Sequence, residues 1–112
     1  MLITEDILKN FLEENNADFA IITNYFGEVI AAVNIDNQDS YAAMSAAILS
    51  MCDKYLEDLD RQATSQLILK TSDGIIVFSK ISADSVVIVG AKSGVNLGMF
   101  LHQAELFAKK LN

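Results

Sequence analysis

His102 and Cys52 are the only histidine and the only cysteine of a 112-residue chain. They are therefore the first places to look for acid–base or nucleophilic chemistry. Their settings do not supply it. His102 falls on the polar side of a C-terminal helical pattern, with Glu105, Lys109 and Lys110, and no Ser, Cys or acid stands at relay spacing. Cys52 falls on the apolar side of a long helical pattern, where a thiol serves packing rather than chemistry. A metal site needs two to four converging His, Cys or acidic ligands. One histidine, one cysteine and acids dispersed along helices do not make one. The sequence thus predicts no catalytic, metal-ligating or cofactor-binding residue.

Two other stretches invite chemistry. Gly90 to Gly98 (GAKSGVNLG) follows an apolar run and opens a helix, like a phosphate loop. It lacks the adjacent Gly-Lys-Ser/Thr that would set lysine and hydroxyl on a nucleotide, and its glycines fall four apart. It reads as a tight strand-to-helix connection, with anion binding at the helix N-terminus left open. Tyr25 and Phe26 occupy a hairpin tip, where aromatics either fold back onto the sheet or meet a partner.

The formal charge is −7, from 8 basic and 15 acidic side chains. Nucleic acid and anionic membrane surfaces demand clustered Lys and Arg, so neither is expected as a main partner. The acids concentrate at Glu5, Asp6, Glu13 and Glu14 and again at Asp53, Glu57, Asp58 and Asp60; solubility and helix-end electrostatics are the plainer reading, and steering toward a basic partner surface is the sharper one. A lone cysteine gives no disulfide framework, which points to a reducing, cytoplasmic setting. The N-terminus carries acids early and lacks a basic region before an apolar core, so it does not read as a secretory signal. No apolar run approaches the ~20 residues that span a bilayer, so no direct membrane insertion is expected.

The elements that must hold these residues follow from pattern. The chain has no proline and no repeat or linker, and 112 residues leave room for one domain, 1–112. Thr4 is an N-cap for a first helix carrying Ile7, Leu8, Phe11 and Leu12. Phe19–Thr23 and Val29–Val33 form a hairpin around Gly27. A long helix spans Ser40 to Leu59, capped by residues 37–40. Three strands follow (Ser65–Lys70, Ile75–Ile81, Val86–Ala91), then a helix from about Val95 to Leu111. The order is α-β-β-α-β-β-β-α. Short connections make the five-stranded sheet mainly antiparallel. Apolar residues at consecutive positions in FAII, IIVF and VVIV mean that both faces are covered. The α+β layout therefore places the long helix on one face and the terminal helices on the other.

The long helix has more apolar surface than one buried face needs. At about 100° per residue, Tyr41, Met44, Ile48, Met51, Tyr55 and Leu59 form one stripe. Ala42, Leu49, Cys52 and Leu56 form an adjacent one, and Ala43, Ala46 and Ala47 fall on the side expected to be wet. Such a helix calls for burial twice, once on its own sheet and once on something else. Which stripe faces the sheet is left open by the pattern.

Four segments in this order resemble the roadblock family of dynein-light-chain-like proteins. They are the hairpin NYFGEVIAAV (Asn24–Val33), the Ala-rich SYAAMSAAIL (Ser40–Leu49), the strand pair SDGIIVFSKI plus SVVIVGA, and SGVNLGMFLHQAE (Ser93–Glu105) with its Asn96-Leu97-Gly98 opening. The related profilin layout is a near neighbour. The resemblance implies a non-catalytic dimerisation module, pairing through the long helix and the strand after it, and serving small Ras-like GTPases or motors. Arg61, the only arginine, follows the long helix, but position alone does not make it an arginine finger.

The residues argue the same way. Burying five or six side chains such as Met44, Ile48, Met51 and Tyr55, at about 1.5–3 kcal/mol each, gains on the order of 10 kcal/mol. That offsets much of an association cost of roughly 4–15 kcal/mol. Ala47 and its fellow alanines permit close helix approach. Leu67, Ile68 and Leu69 on an edge strand would be an aggregation hazard unless paired with a symmetry mate. The expected homodimer interface is Tyr41, Met44, Ala47, Ile48, Met51, Tyr55, Leu67, Ile68 and Leu69, with Tyr25 and Phe26 as a partner contact. The alternative reading is a small-ligand sensor whose pocket, between sheet and helix, is lined by Met44, Met51, Phe78 and Met99.

Overall fold

Consecutive apolar residues such as Val86-Val87-Ile88-Val89 point alternately to opposite faces of a strand, so the sheet they build needs a cover on each side. The computed structural model, which describes residues 4–112, has that arrangement. Its elements are α1 (Glu5–Asn15), β1 (Phe19–Asn24), β2 (Val29–Val33), α2 (Gln38–Asp58), β3 (Gln66–Thr71), β4 (Gly74–Lys80), β5 (Ser85–Lys92) and α3 (Leu97–Leu111). The sheet order is β2-β1-β5-β4-β3, and every pairing is antiparallel. β5 is central, and β2 and β3 are the edges.

α1 and α3 cover one face. Leu8, Phe11 and Leu12 of α1 and Phe100, Ala104 and Phe107 of α3 bury against Ile22, Val77, Val87 and Val89. The Phe11 ring stacks on Phe107 at 4.5 Å between centroids and meets Phe100 edge-on at 6.3 Å. α2 covers the other face, where Ala42 and Leu49 pack on Ile21, Phe78, Val86 and Ile88. It lies mainly over β1 and β2, so β4 and β3 are covered less completely.

Helix ends differ in detail from the sequence expectation. α2 starts at Gln38, two residues early, with no side chain capping its N-terminus. Asn37 adopts a left-handed conformation (φ 53°) with no side-chain cap bond, and the Tyr41 N–H donates to its carbonyl at 3.1 Å. Thr4 occupies the N-cap of α1 without a side-chain bond. α3 starts at Leu97, where Asn96 Oδ1 accepts from the Met99 N–H at 2.9 Å. Among the described residues no helix is long and apolar enough to cross a membrane.

Candidate interaction surface

The direction of each α2 stripe is decided by size. Ala42, Ser45, Ala46 and Leu49 face the sheet; small residues let a helix axis approach β1 and β2 closely. Ala46 is therefore buried, not on the wet side as its helical angle suggests. Ser45 satisfies its hydroxyl within the helix by donating to the Tyr41 carbonyl at 2.7 Å. The larger stripe is turned outward. Met51 is 75% exposed and Tyr55 70%, against 2% for Leu49. Tyr41, Met44, Ala47, Ile48 and Leu59 are exposed as well. Cys52 is half-buried.

β3 runs beside this stripe as a free edge. Leu67 lies opposite Phe78 and Leu69 opposite Ile76, on the α2 side of the sheet. Ile68 lies opposite Val77 and so faces the α3 side. The Lys80 N–H donates to the Ser65 carbonyl at 3.0 Å. The alternation of an antiparallel ladder from that bond turns the backbone groups of Gln66, Ile68 and Lys70 away from β4.

Between the first half of α2 and the thinly covered strands is an open cleft of about 510 Å³. Its floor includes Ile21, Ile76, Phe78 and Ile88, and its wall Tyr41, Met44, Ile48 and Leu69. Asn34, Asp36 and Asn37 form a polar rim at one end. Of the residues named from sequence for a sensor pocket, Met44 and Phe78 line the cleft. Met51 points to solvent, and Met99 belongs to α3 across the sheet. The rim was missed in the sequence; the left-handed Asn34 (φ 61°) and Asn37 are its only signal, as asparagines in a turn.

The hairpin tip separates its two aromatics. Asn24 Oδ1 accepts from the N–H groups of Phe26 and Glu28, both at 3.0 Å, and its amide donates to Glu28 Oε1 at 2.8 Å. This braced turn holds Phe26 in solvent, 88% exposed. Tyr25 folds back toward the core with its hydroxyl buried and without a protein partner. Burial, and then the negative charge of Asp53, push its pKa up. Lys80 Nζ lies 6.0 Å from the centre of its ring. The Asp53 carboxylate in turn accepts from the Thr64 N–H at 2.9 Å, tying α2 to the approach of β3.

The remaining candidates stay apart. His102 is exposed on α3, and Arg61 is exposed beyond α2. In the Gly90–Gly98 segment the Ser93 N–H is already engaged by the Asp73 carbonyl at 3.0 Å. No three His, Cys, Asp or Glu converge as metal ligands among the described residues.

The Roadblock/LC7 domain profile matches residues 3–91, which take in everything from α1 through nearly all of β5. The chain belongs to the Roadblock/LC7 family. Solved structures extend the likeness through α3. The Myxococcus xanthus MglB structure superposes with a TM-score of 0.89 at 11% identity, over 95% of this chain and 89% of that one. A Roadblock/LC7 domain from Streptomyces avermitilis gives 0.89 at 12%, over 98% and 95%. The gliding protein MglB of Thermus thermophilus gives 0.86 at 13%, over 96% and 84%. At these identities the likeness is one of fold. No curated protein matches the sequence. Within the family's fold, the stripe on α2 and the edge of β3 are the exposed apolar surface and the unpaired strand of this roadblock chain.

Proposed function

We propose that this chain acts in the cytoplasm as a non-catalytic homodimeric scaffold, a single roadblock domain over 1–112 that binds a small Ras-like GTPase. The observation that carries the reading is the exposed apolar stripe of α2 lying alongside an unpaired β3. Tyr41, Met44, Ile48, Met51, Tyr55, Leu59 and Leu69 are 36% to 75% exposed on one face, an apolar patch of roughly several hundred Å², while Ile68 is exposed on the other face of the sheet. Monomers seldom leave so large an apolar patch open. Joining two β3 edges about a two-fold would also remove the edge hazard. Family membership supports the GTPase half, and Phe26 on its braced turn is the side chain best placed to meet such a partner.

Light scattering at tens of micromolar tests the first half. A dimer mass is expected, and a clean monomer would sink it. Pull-downs with Ras-like GTPases in both nucleotide states test the second. Capture in one state is expected, and no capture in either counts against it.

The cleft favours a second reading, a sensor for a small apolar ligand. A metabolite thermal-shift screen tests it; a saturable stabilisation is its signature, and silence across apolar compounds argues against it.

A further inference from the structure

We propose that the hydroxyls of Tyr25 and Thr64 and the carboxylate of Asp53 form a buried site for one water molecule, which joins the hairpin tip to the segment leading into β3.

Contacts from both sides bring the three groups together. The Thr64 N–H donates to the Asp53 carboxylate at 2.9 Å, so the threonine hydroxyl belongs to a residue already held against that acid. Tyr25 arrives from the other direction. Its ring lies 6.0 Å from Lys80 Nζ, so the side chain reaches from the end of β1 past β5 to β4. Lys80 is in turn bonded through its backbone N–H to the carbonyl of Ser65, the neighbour of Thr64, at 3.0 Å. The tyrosine pKa, raised first by burial and then by the Asp53 charge, agrees with this placement.

Both hydroxyl oxygens are buried, and neither has a hydrogen-bond partner among the described residues. Thr64 as a whole is 7% exposed. Ser45 solves the same problem by donating to a carbonyl of its own helix. Thr64 lies in no helix or strand. A buried hydroxyl left unpaired costs more than an ordinary hydrogen bond gains, so such groups pair with protein or with ordered water.

The count of donors and acceptors selects water. Each hydroxyl brings one hydrogen, and the Asp53 carboxylate has acceptor capacity beyond the bond from Thr64. Water has two lone pairs for the two hydroxyl hydrogens and a hydrogen to donate to Asp53. That gives it three partners, typical of an internal water. An anion would meet the Asp53 charge, and a cation would have one carboxylate to hold it with the Lys80 ammonium nearby. The bound water makes the position of the turn that carries Phe26 and the start of β3 depend on each other.

The full chain is compared with Tyr25→Phe, Thr64→Val and the double variant. Magnetic relaxation dispersion of solvent oxygen counts long-lived internal waters and is blind to exchanging hydroxyl protons. Wild type is expected to hold one more such water per chain than the double variant, and equal counts would overturn the site. In urea melts each single substitution is expected to lower the folding equilibrium constant about two- to fivefold. The double variant is expected to lose less than the product of the two, because both act on one water; a loss equal to the product would overturn the proposal. Should the double variant fail to fold, Thr64→Ser is expected to keep the water and Thr64→Val to lose it, and the same count in both would overturn the site. A wild-type melting temperature that differs among sodium, potassium and tetramethylammonium chloride, with no such difference in Thr64→Val, would assign the site to a cation and overturn the water.

Discussion

Gly27 rests on Ala43: a Cβ added to the glycine would lie 3.1 Å from the Ala43 Cα, which is backbone of α2. The hairpin tip and the long helix are thus in direct contact, with no side chain between them. Gly27 also has φ +84°, a conformation that L side chains rarely adopt. Gly27→Ala is therefore expected to cost about 1–3 kcal/mol, read from chemical denaturation. A melt identical to wild type would show that the tip does not bear on the helix.

Tyr25 predicts an alkaline weakness. Its folded-state pKa is raised by burial and by Asp53, so its contribution to stability is complete below the ordinary tyrosine value of about 10. That contribution is lost as pH rises through the higher folded value, because the unfolded chain releases the proton first. Tyr25→Phe removes this dependence. At pH 7 it is expected to stay within about 1 kcal/mol of wild type, since the hydroxyl it deletes has no protein partner. Stability measured between pH 8 and 11 checks both statements. An unchanged alkaline slope in Tyr25→Phe would contradict them.

The two faces of α2 should respond oppositely to truncation. Leu49→Ala leaves a hole over Ile21 and Ile88 and is expected to cost about 2–5 kcal/mol of folding stability. Met51→Ala removes a side chain that is three-quarters exposed. It is expected to change the stability of the isolated fold by under about 0.5 kcal/mol while weakening self-association. Urea melts beside sedimentation at several concentrations separate the two effects. A large folding cost at Met51 would mean the stripe is already covered.

Gly90 faces Phe19 across the β1–β5 pair, and a Cβ there would overlap the aromatic ring. Phe19 also lines the cleft. Gly90→Ala is expected to cost about 1–3 kcal/mol and to push the ring toward the cleft. Chemical shifts of Ile76 and Ile88 methyl groups report the movement, and unmoved shifts would place the strain elsewhere.

Much of this was legible in the residues. Consecutive apolar strand positions disclosed a sheet covered on both sides, and the glycine-centred turn disclosed the hairpin. The direction of the α2 stripes was not legible, because Tyr41-Met44-Ile48 and Ala42-Leu49 are both apolar; only packing distance chooses the smaller set for the sheet. The split between Tyr25 and Phe26 was half visible, since adjacent residues on a tight turn must point apart. The cleft was legible only in part, as a pocket between sheet and helix with Met44 and Phe78 in its lining; its extent is volume that α2 leaves over β4 and β3, and no residue encodes a gap. Its polar rim, built on two left-handed asparagines, looked like ordinary turn composition.

The two edges of the sheet are unlike. β3 is a regular six-residue ladder, whereas β2 has five residues and an irregular register opposite Ile22 and Thr23. A chain whose β2 could accept the β3 of its neighbour would propagate head to tail without limit, since such contacts do not close on themselves. The kink in β2 makes it a poor template. Growth through β3 would then stop after one addition, and both ends of a ten-stranded product would be the irregular strand. A one-residue irregularity far from the proposed contact would thus decide between a finite particle and a fibre.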